Sequence, residues 1–148
     1  EHDFEGVNSR LDEFQAIILS EKLKFLHDWT ETRKRLAKFY YDHLSAVPGL
    51  TLSEPLPSSE SVWHIFAVKT EKRDGLREYL TKRGIGTGIH YPLPLPLLRP
   101  YSQENVNKNF KTAIRFTENT LSLPLFPEMT IAELEFVVRS IKEYFNVS

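Results

Sequence analysis

Between Leu11 and Leu44 the chain keeps a helical rhythm over about 35 residues before Pro48-Gly49 stops it. Apolar side chains at Leu11, Phe14, Ile18, Phe25 and Trp29 fall in steps of three, four and seven, which mark one face of a long amphipathic helix. A second pattern runs through Leu36, Tyr40 and Leu44 and leaves Arg33, Lys34, Arg35 and Lys38 outside it, a cluster that reads as a solvated face rather than a ligand site. One unbroken helix of this length exceeds the usual globular range, so a kink is expected near His27-Asp28.

A short strand is predicted at Leu50–Leu52, followed by a loop at Pro55-Leu56-Pro57-Ser58-Ser59. Residues Val62–Thr70 alternate as a strand covered on both faces, with Val62, His64, Phe66 and Val68 on one and Trp63, Ile65 and Ala67 on the other. His64 in that row reads as a hydrogen-bonded core residue rather than a ligand. A helix is predicted from Asp74 to Arg83 with Leu76, Tyr79 and Leu80 inward, ended by Gly84 in a left-handed conformation. Ile85–Tyr91 then reads as a glycine-spaced strand. Two strands flanking a helix make a small α+β layer. Residues 92–100 carry Pro92, Pro94, Pro96 and Pro100, which exclude helix and central strand and dictate an extended, shaped loop. Helical spacing returns at Phe110, Ala113, Ile114, Thr117 and Leu121. The last helix is announced by a capping box, Thr130 with Glu133, and by an apolar face of Leu134, Val137, Val138, Ile141 and Phe145.

The 148 residues suffice for one domain with a real core. With 19 basic against 20 acidic residues, no global field draws nucleic acid or an anionic membrane, so neither is an expected partner. There is no cysteine, which excludes disulfides, a thiolate nucleophile and thiolate metal sites, and agrees with a cytoplasmic setting. No apolar run approaches the roughly 20 residues that span a bilayer. Glu1-His2-Asp3-Phe4-Glu5 lacks the features of a signal peptide and an initiating methionine, and reads as a cut end.

Chemistry-bearing residues are sparse. Asp12 and Glu13 are adjacent on a helix and point apart, so they do not make an acid-base pair. No Ser-His-Asp signature or phosphate-binding glycine loop occurs, and the five histidines stand apart from one another, so no metal site is expected. Two places remain. In Gly6-Val7-Asn8-Ser9-Arg10-Leu11-Asp12-Glu13-Phe14-Gln15-Ala16, Ser9 and Asp12 fit a helix cap, and Asn8 and Arg10 stand where a helix terminus favours an anion. Residue types alone favour an ordinary capped helix with a solvated arginine. At His90-Tyr91-Pro92 an imidazole and a phenol end a strand before a rigid loop, a place to meet a ligand or simply to hydrogen-bond the loop.

G-V-N-S-R-L-D-E-F-Q-A-I-I-L resembles the G-x-N-x-R-x-D-E-x-Q-A-A-x-L segment of the DegT/DnrJ/EryC1/StrS family of pyridoxal-phosphate-dependent nucleotide-sugar aminotransferases. Gly84-Ile85-Gly86-Thr87-Gly88-Ile89-His90-Tyr91-Pro92 and Leu121-Ser122-Leu123-Pro124-Leu125-Phe126-Pro127 are similar to later segments of that family, in the same order. The resemblance implies the carboxyl-terminal part of such an enzyme: residues 1–30 a loop and helix belonging to or linking from a large cofactor domain, residues 31–148 the small domain of a fold type I aminotransferase. The fold class implied is α+β, with long amino-terminal helices, a small antiparallel sheet with a crossing helix, and carboxyl-terminal helices. It further implies that the Schiff-base lysine lies upstream of residue 1, that Lys22, Lys24 and Lys69 do not replace it, and that the fragment alone is inactive. Asn8 would contact the phosphate of pyridoxal phosphate across a homodimer interface. Arg10 would contact that phosphate or the nucleotide-sugar, His90 and Tyr91 would contact the nucleotide-sugar, and an amino donor would be the second substrate. Relatives continue H-Y-P-x-P-L-H-x-Q, whereas Leu93-Pro94-Leu95-Pro96-Leu97-Leu98 has proline and leucine where histidine and glutamine would stand. Some relatives dehydrate rather than transaminate. The alternative from another class is a non-enzymatic interaction or ligand-binding module that offers Phe25 and Trp29 to a partner.

Overall fold

The sheet that organises the fold has three antiparallel strands in the order β1-β2-β3, namely Thr51–Leu52, Phe66–Lys69 and Thr120–Leu123, in a computed structural model that describes residues 6, 8, 11–56, 58–102 and 109–147. Pairing of Phe66 with Leu123 and of Val68 with Leu121 puts four apolar side chains on one face, while Ala67, Ser122, Lys69 and Thr120 take the other. Three helices share the apolar face's core: α2 (Leu26–Leu44), α3 (Arg73–Lys82) and α6 (Ile131–Tyr144). They contribute Leu36, Ala37, Tyr40 and Leu44, then Leu76 and Leu80, then Leu134, Val137, Val138 and Ile141, all buried. The α+β class and its two-layer arrangement are therefore as the sequence implies.

Local chemistry explains the boundaries that hold. Thr130 Oγ1 accepts from the Glu133 amide and the Glu133 carboxylate accepts from the Thr130 amide, the full capping box of α6. Gly84, at φ 75°, ends α3, with its N–H bonded to Thr81 O and that of Ile85 to Leu80 O, a Schellman pair that leaves Ile85 buried.

Several expectations are corrected. The helical span breaks at Lys24-Phe25, ahead of His27, into α1 (Glu13–Leu23) and α2. No residue of α1 is buried, so the face through Phe14 and Ile18 lies open. Asp12 is its N-cap, accepting from the Gln15 amide at 2.8 Å; Ser9 lies outside the described residues. The strand predicted from Val62 begins only at Phe66, because Trp63 takes φ 51°, which no strand accommodates, and His64 is exposed rather than in the core. Residues 85–91 form no strand: Gly86 and Gly88 offer no side chains to pack, and a single bridge joins Gly88 to Ser122. The third strand is instead Thr120–Leu123, where the helix α5 (Lys111–Asn119) turns extended at Thr120, ψ 134°. Nor is the proline loop wholly extended. Leu95–Leu97 is a 3-10 turn and Arg99–Ser102 a short helix, α4, with Pro96 and Pro100 in first-turn positions that need no amide hydrogen.

Candidate functional site

The two later motifs, far apart in sequence, meet at the free edge of β3. Gly88 and Ser122 exchange both backbone hydrogen bonds, at 3.0 and 2.8 Å. Two residues on, His90 Nδ1 lies 2.9 Å from Ser122 Oγ, which leaves Nε2 as the ring nitrogen open to another group. A Cβ at Gly88 would fall 2.6 Å from His90 Cε1, so the ring rests where only glycine lets it rest. Ser122 is buried, and its strand is anchored from the core side by the Tyr40 hydroxyl, which donates to Pro124 O at 2.9 Å. Burial pushes the Tyr40 phenol well above its ordinary range, so it stays a neutral donor.

Tyr91 stands edge-on to His90, ring centroids 5.7 Å apart, and is 72% exposed. Both residues border a cleft of about 1300 Å³ between the proline-leucine loop and the first turns of α5. Its far wall sets Phe110, Ala113 and Phe116 among Asn109, Lys111 and Thr112. Thr117, at the back, spends its hydroxyl on Ile114 O at 2.8 Å. The arrangement sets hydrogen-bonding groups beside apolar surface, which suits binding and orienting a ligand; among the described residues it holds no nucleophile paired with a base.

Of the predicted site residues, the structure brings His90 and Tyr91 together at this lip. Asn8 is exposed and does not line the cleft. Arg10 lies outside the described residues. Lys22 and Lys24 are exposed on α1 and after it, Lys24 paired with Glu21 at 2.6 Å, and Lys69, half-buried, ends β2. Among the described residues no group of three or more metal-ligating side chains occurs, and no helix is long and apolar enough to cross a membrane. Sequence reasoning missed Ser122 as the partner of His90. The signal was present: a lone hydroxyl between Leu121 and Leu123 points to the opposite face once the segment is read with a period of two.

The model of the DegT/DnrJ/EryC1/StrS aminotransferase family matches residues 1–142. Among curated relatives, the chain is 39% identical over 95% of its length to the erythromycin biosynthesis sensory transduction protein EryC1 of Saccharopolyspora erythraea. It is 38% identical over 97% of its length to a dTDP-3-amino-3,4,6-trideoxy-alpha-D-glucose transaminase of Streptomyces venezuelae. A crystal structure of DesV from S. venezuelae superimposes with a TM-score of 0.86 at 36% identity, covering 100% of this chain and 40% of that one. The chain spans 39% and 38% of the length of the two curated relatives.

Proposed function

Because the chain belongs to the DegT/DnrJ/EryC1/StrS aminotransferase family, we propose that it serves as the carboxyl-terminal part of a pyridoxal-phosphate-dependent enzyme that transfers an amino group to a nucleotide-linked keto-sugar. The observation that carries the reading is the braced pair His90-Tyr91 at the lip of a large cleft, built from two motifs that otherwise have no reason to meet. In this arrangement residues 31–148 form the small domain and residues 1–30 link it to a large domain; the first buried side chain after α1 is Leu36, which supports a division ahead of it.

For the cofactor the fit is partial but real. Asn8 has an exposed side-chain amide, a donor suited to a phosphate oxygen, and Arg10 is the second candidate. When bound, the cofactor supplies an electron sink for amino transfer. The residues of this chain bind and orient: Asn8 holds the phosphate across a homodimer interface, His90 Nε2 and the Tyr91 hydroxyl hold the sugar nucleotide, and the loop behind them limits water. The lysine that carries the cofactor comes from the large domain, so the 148 residues alone do not transaminate. A cytoplasmic, cofactor-loaded homodimer using an amino donor completes the reading.

The test is the double variant His90→Phe, Tyr91→Phe in the complete enzyme, which keeps the rings and removes the polar tips. kcat/KM for the keto-sugar should fall by one to two orders of magnitude, equivalent to about 1.4–2.7 kcal/mol, with cofactor affinity unchanged. An unaltered kcat/KM per folded molecule would return the pair to a structural role.

A further inference from the structure

A second cavity, of about 640 Å³, meets α5 beside the face that walls the His90 cleft. Thr112 and Phe116, one helical turn apart, border both spaces, whereas Ala113 and Thr117 line the cleft alone and Arg115 and Asn119 the second cavity alone. The two are therefore neighbours divided by one helical ridge. Three cations stand around the second cavity: Lys69 at the end of β2, Lys72 just ahead of α3 and Arg115 on α5, against the single carboxylate of Glu71. This is a local excess of positive charge on a chain whose net charge is −1. Glu71 meets Arg115 at 3.6 Å with both side chains exposed, a pair that water screens and a stronger anion can displace. Among the described residues Lys69 and Lys72 have no carboxylate partner, while Lys24, Lys34, Lys38 and Lys82 each hold one. Lys72 lies instead over the ring of Phe145, 5.9 Å from its centroid. Phe145 lines the same cavity as Phe116, which is 43% exposed, so two phenyl rings stand among the cations.

We propose that this cavity is a second binding site, separate from the His90 cleft, for a free nucleoside diphosphate: the diphosphate lies among Lys69, Lys72 and Arg115, and the base rests against Phe116 and Phe145. Two phosphates answer three cations, where one carboxylate would leave most of that charge unmet. The rings add a surface for a planar base, which inorganic diphosphate would leave bare. A cavity of this volume lies within the range of about 300–1,000 Å³ that small-molecule sites occupy. The site goes beyond the amino-transfer reading, because it uses none of the groups at the His90 lip.

The complete, cofactor-loaded enzyme is titrated calorimetrically with dTDP, and separately with thymidine and with inorganic pyrophosphate. Two dTDP should bind per chain. Lys72→Gln combined with Arg115→Gln, both at exposed positions, should weaken one of the two by about 10- to 100-fold, with the melting temperature and kcat/KM for the keto-sugar unchanged. His90→Phe combined with Tyr91→Phe should weaken the other. At the site that the cation variant removes, thymidine and pyrophosphate should each bind at least about tenfold more weakly than dTDP. Pyrophosphate as tight as dTDP there overturns the nucleotide assignment. A single dTDP per chain, lost in the His90 and Tyr91 variant, overturns the second site and leaves the amino-transfer reading standing. A cation variant that loses kcat/KM together with dTDP also overturns it, since the cavity would then hold the substrate's own nucleotide. Should dTDP bind only at the cations, with turnover indifferent to His90 and Tyr91, this site stands and the role given above to that pair falls.

Discussion

Helices α1 and α6 are both rich in apolar residues, yet α6 buries Leu134, Val137, Val138 and Ile141 while α1 buries nothing. The difference lies in arrangement. In α6 the apolar positions recur at three and four, with Glu133, Glu135 and Arg139 turned outward, so a single stripe faces the sheet and α2 and α3. In α1, Phe14, Ile17 and Ile18 lie on one side and Ala16, Leu19 and Leu23 on the other, so no single face gathers them. Apolar content without a stripe yields a helix that stands open in this fold, with Phe14 81% exposed.

The contrast is broken or sharpened first by cavity mutations. Leu134→Ala should cost about 2–5 kcal/mol, because the side chain is fully buried, whereas Leu19→Ala should stay within about 0.5 kcal/mol. Urea denaturation of the two variants measures both, and a Leu19→Ala cost of several kcal/mol would mean that α1 is part of the packed body. A smaller effect is expected at the caps. Thr130→Ala should lower global stability by about 1 kcal/mol, while Asp12→Ala should loosen the start of α1, seen as faster amide exchange at Gln15, with the unfolding midpoint in place. Equal shifts from the two caps would erase the distinction. The smallest effect is one of pH. Hydrogen bonds from the Thr130 amide and hydroxyl hold the Glu133 carboxyl below its ordinary value of 4.5. A folded pKa below the unfolded one gives stability that is full above the ordinary carboxylate range and lost as the pH falls through it. Protection factors in the first turn of α6, taken relative to intrinsic exchange at each pH, should therefore fall as the pH drops through the carboxylate range, and Glu133→Gln should abolish that dependence; constant protection across this range would show that the box contributes nothing.

Much of the body was legible because its signals are local. The capping box at Thr130, the terminator at Gly84 and the stripes through Leu36, Tyr40 and Leu44 or Leu76 and Leu80 each settle within a turn or two of helix. What sequence misassigned depends on contacts between distant segments. Leu121 fits helical spacing with Thr117, and only pairing with Val68 makes it a strand residue. Residues 85–91 carry apolar alternation, but Gly86 and Gly88 weaken it, and the edge they would extend is met at one bridge only. At the site, His90 and Tyr91 were legible by motif, whereas the brace from Ser122 and the wall from Phe110 and Phe116 follow from the chain's return past the loop. The open state of α1 was missed because Phe14 and Ile18 keep helical spacing, although Leu19 and Leu23 on the opposite side deny the helix a single stripe.

Ser122 shares its strand with Leu121 and Leu123, and this makes the site a gauge of strand register. Slipping β3 by one residue against β2 would send Ser122 into the core and turn a leucine toward His90, losing a buried apolar contact and the imidazole's partner in the same step. Correct pairing of Phe66 with Leu123 thus sets the His90 ring, and a sheet closed in the wrong phase leaves the imidazole without its serine.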